Sequence, residues 1–262
     1  VRIVRFVHGG VPRTGIVDEH DVVRETVADA AGTSGAERAL ADLTLLPAVE
    51  RSSMIVCVGL NYVDHATEAA ADLPTSPLLF GKSSNTLAAH GEPIGIPVSV
   101  TQAVDYEAEL GVVMGRRCRD VSEADALDFV RGYTCVNDVS ARDLQFAHGQ
   151  WFRGKSVDTF CPAGPFLVTA DEIPDPQALA IQCRVNGTLL QDSSTAHMVF
   201  SVRELISYIS RTITLEPGDL IATGTPEGVG FARDPKVLLQ PGDTVSVFVE
   251  CVGTLTNPVV GR

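Results

Sequence analysis

Apolar residues in this chain gather in short runs separated by Gly, Pro and charged clusters, the spacing of a strand-rich fold. Val1 to Val7 reads as a strand ending in a turn at Gly9-Gly10. Asp18 to Asp21 is polar, and Glu37 to Ala48 suggests a helix running into a loop. Met54 to Gly59 suits a buried strand, and the alanine-rich stretch Asn61 to Asp72 predicts a short helix stopped by Pro74. Pro77 to Phe80 and Val98 to Val100 are short strand candidates, and Val104 to Met114 predicts a longer one. Ser122 to Phe129 reads as a helix with a serine N-cap, and Tyr133 to Val139 as a strand. Leu205 to Ser210 belongs to a helix, with strands following near Leu220 and Val245. Glu216-Pro217-Gly218-Asp219 and Gln240-Pro241-Gly242-Asp243 each place Pro then Gly where a type II turn takes them. Strands outnumber helices and do not alternate regularly with them, which argues against a doubly wound sheet. The expected fold is α+β, mostly β: a mixed-sheet sandwich or roll with a few peripheral helices. A small N-terminal lobe over residues 1–51 precedes a chemistry-bearing domain over residues 52–262.

Composition narrows the function. The 262 residues are 45% hydrophobic, enough for a sizeable core. A formal charge of -13 argues against a nucleic-acid surface, which needs a net basic face. It leaves room for an anionic small molecule, because a site can be locally basic or carry a metal. No apolar run approaches the roughly 18 residues of a membrane helix, and Arg2 and Arg5 break the apolar start, so no signal peptide is expected. The six cysteines are scattered without a CxxC pair, as expected of reduced, buried thiols in a cytoplasmic protein rather than zinc ligands.

The densest chemical signal is Val104-Asp105-Tyr106-Glu107-Ala108-Glu109-Leu110. On one continuous strand the three acids share a face. Sheltered from water, such carboxylates must be paired or neutralised, and oxygen ligands select a hard cation such as Mg2+, Mn2+ or Ca2+. Asp138, near the end of an apolar strand, offers a third ligand beside Glu107 and Glu109. The same pattern also fits an acidic solvent face, with Asp138 merely beginning a turn.

His65 and Glu68 stand three apart on the expected helix, close enough for the carboxylate to orient the imidazole as a general base. A surface His–Glu pair would look the same. Lys155, in Arg153-Gly154-Lys155-Ser156, is either a partner for a carboxylate or oxyanion or a solvated loop lysine. The loop Gly224-Thr225-Pro226-Glu227-Gly228-Val229-Gly230 lacks the lysine of a P-loop, but its backbone N–H groups suit a substrate carboxylate.

Several of these segments together resemble the fumarylacetoacetate hydrolase family. They are Gly59-Leu-Asn-Tyr62-Val-Asp-His65-Ala-Thr-Glu68, Tyr106-Glu107-Ala-Glu109-Leu-Gly-Val-Val-Met-Gly115, Asn137-Asp138-Val-Ser-Ala-Arg142-Asp-Leu-Gln145, Arg153-Gly-Lys155-Ser-Val-Asp-Thr-Phe-Cys-Pro162 and Leu220-Ile-Ala-Thr-Gly-Thr225-Pro-Glu-Gly-Val-Gly230. They run in order from about residue 54 to the C-terminus, nearest to the bacterial acylpyruvase and 2-hydroxyhepta-2,4-diene-1,7-dioate isomerase branch. The resemblance implies a β-sandwich roll, usually homodimeric, binding Mg2+ or Mn2+ through Glu107, Glu109 and Asp138. It implies that His65 and Glu68 form a dyad on a segment closing over the site. It also implies that Lys155, Arg142, Gln145 and Thr225 contact substrate, with Gly224 beside them. Val63 and Ser83 depart from the family pattern, the former where many relatives carry a polar or basic residue.

The implied chemistry is enolate formation on a small 2-oxo acid, stabilised by the cation. Hydrolysis of an acylpyruvate, isomerisation of a hydroxymuconate-type diacid and decarboxylation of oxaloacetate all pass through such an enolate. Retention of both His65 and Glu68 favours C–C hydrolysis, because water attack needs a base. A non-catalytic 2-oxo-acid binding protein on the same scaffold is the competing class.

Overall fold

In the computed structural model, which describes residues 1–26, 33–51, 53–68 and 72–262, period-two alternation decides where the strands bury their side chains. On the strand Ala108–Met114, Leu110, Val112 and Met114 enter one apolar cluster and Val113 a second on the opposite face. Along Ile55–Gly59, Val56 and Val58 join the first cluster, and Ile55 and Cys57 the second. Both faces are covered, so these strands read as near-continuous apolar runs.

Among the described residues the largest sheet has twelve strands. At its centre Val130–Asn137 pairs antiparallel with Ala108–Met114 and with Cys161–Thr169. Leu220–Ala222 adds antiparallel to Ala108–Met114, and Ile55–Gly59 adds parallel to Leu220–Ala222, which makes the sheet mixed. The N-terminal strand Arg2–His8 pairs with Cys161–Thr169, so the N-terminal strands extend this same sheet. A five-stranded sheet contains Ala180–Val185, Thr188–Ser194, Thr244–Val249, Gly253–Gly261 and Ile94–Ile96. Its Ile181, Cys183, Val245 and Val247 share the first cluster with Leu110 and Cys135, so the main core lies between the sheets. The fold is mostly β with mixed sheets, as expected.

The helix Val202–Ser210 starts at a reciprocal cap, with Ser201 Oγ accepting the Glu204 N–H and Glu204 accepting the Ser201 N–H. Val202, Leu205, Ile206 and Ile209 recur at helical spacing and are buried. Both Pro-Gly turns form, with Gly218 at φ 92° and Gly242 at φ 100°. No helix of the described residues is long and apolar enough to cross a membrane. All six cysteines are free, five buried and Cys251 exposed.

Several sequence expectations are corrected. Glu37 to Ala48 is not helical. It holds the end of the strand Thr33–Ala39, a 3-10 turn at Leu40–Asp42 and the short strand Thr44–Leu45. Pairing with Val22–Thr26, including an Arg24–Glu37 ion pair at 2.9 Å, outweighs the local helix propensity. The segment Ser122 to Phe129 forms only the 3-10 turn Ala126–Phe129, because Ser122 Oγ accepts the Asp125 N–H and closes a turn. Val98 and Val100 are exposed loop residues, and the strand falls earlier at Ile94–Ile96. Val104 to Met114 breaks at Tyr106-Glu107 into Val104–Asp105 and Ala108–Met114. The helix after Asn61 spans Val63–Glu68, and the rest of the expected helix runs into residues 69–71, outside the described residues. Ser52, at the expected lobe boundary, is also outside them.

Candidate active site

The strand break at Tyr106-Glu107 builds the acidic centre. Glu107 N–H donates to Asn137 Oδ1 at 3.1 Å, and its carbonyl accepts from Asp138 N–H at 2.9 Å. The ends of two neighbouring strands are thereby pinned together. Carboxylate oxygens of Glu107, Glu109 and Asp138 all lie within 4.8 Å of one another, and all three residues are buried. Asp105 does not join them. It accepts from Arg142 Nε at 2.9 Å and from the Gly230 and Phe231 N–H groups at 2.7 and 3.1 Å, anchoring the segment that follows the glycine-rich loop.

Three cations surround the acids. Lys155, at the end of the short helix Phe152–Lys155, donates to Glu107 Oε2 at 2.6 Å and to Asp138 Oδ2 at 2.8 Å. Lys82 donates to Asp138 Oδ1 at 2.5 Å and to the Val139 carbonyl at 3.1 Å. Arg142 Nη2 sits 2.7 Å from Glu107 Oε1 and 2.8 Å from Asp105 Oδ2, while Nη1 donates to Gln145 Oε1 at 3.0 Å. Burial alone would raise the Glu107 carboxyl, but Lys155 and Arg142 hold it well below the usual carboxylate range. Glu109 goes the other way. Burial, then the Asp138 and Glu107 charges, push it well above that range, and the Gly224 N–H at 3.0 Å only partly offsets them.

This arrangement fits a divalent cation. With Asp105 balanced by Arg142, three carboxylates face two lysines. Among the described residues Glu109 forms no ion pair, and the excess negative charge of the cluster shows in its raised carboxyl, which the Lys155 charge only partly offsets. All-oxygen, carboxylate-rich ligation suits Mg2+, Mn2+ or Ca2+.

The dyad residues line the same cavity. His65 Nδ1 lies 3.3 Å from Glu68 Oε2. Burial would raise the Glu68 carboxyl, but the His65 and Gly228 N–H hydrogen bonds hold it below the ordinary range. An ionised Glu68 accepts, so Nδ1 carries the proton and Nε2 is left for chemistry. Gly228 N–H reaches both Glu68 oxygens at 3.0 and 3.1 Å. Its φ of 93° and the nearness of the Leu190 carbonyl leave no place for a Cβ. Upstream, Asn61 fixes the approach to the helix, with Nδ2 donating to the Thr223 and Phe200 carbonyls and Oδ1 accepting from Phe200 N–H.

Thr225, Gln145, Arg142 and Lys155 also line the cavity, whose volume is about 370 Å³. Gly224 stands behind it, holding Glu109. Three groups were not singled out from sequence, and Asp105, expected to share a face with Glu107 and Glu109, is instead the Arg142 partner. Lys82 is a buried counter-charge. Gln191 joins Ala108 N–H to Thr225 Oγ1. The aromatic wall comprises Phe80, Phe146, Trp151 and Phe231. A lone tryptophan four residues before Lys155 was the one available signal for that wall.

The family description Fumarylacetoacetate (FAA) hydrolase C-terminal matches residues 54–260. The chain belongs to this family. A second description, Rv2993c-like, N-terminal, matches residues 1–47. A mitochondrial oxaloacetate tautomerase of Xenopus laevis is 46% identical over 221 residues, covering 84% of this chain and 69% of that protein. The 2,4-didehydro-3-deoxy-L-rhamnonate hydrolase of a Sphingomonas species is 42% identical over 279 residues, covering 99% of this chain and 96% of its own. The crystal structure of 5-carboxymethyl-2-hydroxymuconate delta-isomerase from Mycobacterium smegmatis aligns over 100% of both chains with a TM-score of 0.88 and 38% identity. Hydrolases, isomerases and tautomerases thus share this fold and family.

Proposed function

We propose that this protein is a divalent-metal-dependent hydrolase of a small 2,4-dioxo acid of the acylpyruvate type. The observation that carries the reading is that Glu107, Glu109 and the His65–Glu68 dyad line one cavity, with buried Asp138 completing the acidic cluster behind them. Glu107, Glu109 and Asp138 would hold Mg2+ or Mn2+, with Ca2+ also accommodated by the donor set. When bound, such a cation supplies Lewis-acid stabilisation of negative charge on the 2-oxo oxygen of the substrate.

The chain's own residues then have distinct tasks. Lys155 and Arg142 hold Glu107 ionised and fixed, and Lys82 and Lys155 fix Asp138 in place. Glu68 keeps His65 in the tautomer with a free Nε2 and stabilises the imidazolium that forms. His65 Nε2 takes a proton from the water attacking the 4-oxo carbon. The bond between C3 and C4 breaks, its electron pair stays with the pyruvate unit as the enolate, and C3 is then protonated. The products are a carboxylic acid and pyruvate. Gln145 and Thr225 present polar groups to the substrate from the cavity wall.

A second reading is tautomerisation of oxaloacetate, favoured by the relatives named for that activity. An activity screen with Mg2+ and Mn2+ over acetylpyruvate, fumarylpyruvate, oxaloacetate and a hydroxymuconate-type diacid separates the readings. Chelator-sensitive release of pyruvate from an acylpyruvate is expected. Turnover confined to oxaloacetate keto–enol exchange would replace the hydrolase reading with the tautomerase one. Affinity without turnover on any compound would point to a binding protein.

A further inference from the structure

Beyond the acids and the dyad, the cavity wall is aromatic. Phe80 and Trp151 meet edge to face with centroids 5.2 Å apart, and Lys155 Nζ lies 5.1 Å from the Phe80 ring centre. This pair therefore borders the acidic centre. Phe146 and Phe231 form a second pair with centroids 5.6 Å apart. Phe146 is 57% exposed, which puts that pair at the mouth. A solvent-facing phenylalanine packed at a tilt against another at a cavity rim is an apolar surface a ligand could cover.

The cationic side chains on this wall are already engaged. Among the described residues lining the cavity, the Lys and Arg side chains are Arg142 and Lys155. Arg142 is held by Asp105 and Glu107, and Lys155 by Glu107 and Asp138. Lys236 lies over the Phe231 ring at 3.8 Å but is not part of the lining. Among the described residues, a second carboxylate at the far end of a substrate would leave water for aromatic rings, with Arg142 and Lys155 already committed to carboxylates and Lys236 to the Phe231 face. An alkyl or aryl group would gain contact and lose water instead.

We infer that the chain selects substrates whose far end is uncharged and apolar: acylpyruvates carrying an extended alkyl or aryl group, over diacids such as oxaloacetate. This rests on the 2-oxo-acid reading above. Phe146 and Phe231 are the specificity-determining pair, and Phe80 with Trp151 packs the middle of the bound chain.

The test uses a reporter the protein already has. Trp151 is the one tryptophan in the chain and lines the cavity, so its fluorescence reads occupancy without requiring turnover. The Mn2+-loaded protein is mixed by stopped flow with acetylpyruvate, hexanoylpyruvate, benzoylpyruvate and oxaloacetate, and the quench is read before any conversion. Affinity is expected to rise about tenfold from acetyl to hexanoyl or benzoyl, roughly 1.4 kcal/mol, with oxaloacetate the weakest. Phe146→Ala, at an exposed position where folding is not at stake, should collapse the hexanoyl-to-acetyl affinity ratio. Phe146→Arg should raise the oxaloacetate-to-acetylpyruvate ratio. Equal affinity across acyl lengths, or oxaloacetate binding as tightly as hexanoylpyruvate, would overturn the inference while leaving the 2-oxo-acid reading intact. Absence of quenching by every 2-oxo acid, with Mn2+ shown bound by its electron paramagnetic resonance signal, would remove that reading and this inference with it.

Discussion

Replacing Lys155 by methionine tests the electrostatic account of the centre. The ammonium is 2% exposed and lies 2.6 Å from Glu107 and 2.8 Å from Asp138. Methionine fills a similar volume, so the change is mainly one of charge. Without Lys155, the three carboxylates keep only Lys82 and the Arg142 guanidinium that Glu107 shares with Asp105. Removing one partner of a buried ion pair costs about 3–5 kcal/mol. Proton uptake by Glu109, already held well above the ordinary range, relieves part of the new repulsion and favours the lower end. Urea unfolding at neutral pH in chelator should therefore show a loss of about 3 kcal/mol with an unchanged m-value. Saturating Mn2+ should then stabilise the variant more than the native protein, because the added charge meets a larger deficit, and the gap should narrow. A loss below about 1 kcal/mol in chelator, the scale of a solvent-exposed pair, would refute the reasoning. So would a gap that Mn2+ leaves untouched.

Three further outcomes follow from the same geometry. His65→Ala should lower hydrolytic turnover by about 10²–10⁴-fold, the usual contribution of a general base, while Mn2+ remains bound; an undiminished rate would exclude His65 as the base. Gly228→Ala forces a Cβ against the Leu190 carbonyl and displaces the N–H that holds Glu68. It should cost about 10²-fold in turnover through mispositioning with metal affinity retained, and loss of metal binding would show a wider collapse. In chelator, Glu109 contributes stability that is complete below the ordinary carboxylate value and is lost as pH rises through its raised native value. The melting temperature of the metal-free protein should fall over that rise, and Glu109→Gln should flatten the fall. An equally steep fall in the variant would assign the effect to another group.

The mostly β architecture and the main strands were readable because both sheet faces are buried, so apolar runs such as Ile55–Gly59 stand out whatever their pairing. The misread segments share a different cause. Glu37 to Ala48 has helix-forming residues, but its structure is decided by the partner strand Val22–Thr26, which local sequence does not disclose. In the Ser122 segment a serine and an aspartate three apart close a turn as readily as they cap a helix. Ser201 and Glu204 have the same spacing and do cap one, whose Val202, Leu205, Ile206 and Ile209 are buried together, whereas Val130 at the corresponding place after Ser122 already belongs to the strand Val130–Asn137.

At the site, the limit of sequence reading is set by alternation itself. A continuous strand over Val104 to Met114 would have placed Asp105, Glu107 and Glu109 on one face, three repelling acids needing one answer. The break at Tyr106-Glu107 gives them two. Asp105 pairs with Arg142 and ties down the backbone at Gly230 and Phe231, which positions one ring of the aromatic mouth. Glu107 and Asp138 meet the lysines, and Glu109 stands beside them with the Gly224 N–H. The Asp105–Arg142 pair thus bears on both ends of the cavity, the same arginine also meeting Glu107 in the acidic centre while the same aspartate holds the backbone of a mouth ring, a coupling that shows only once the strand break is seen.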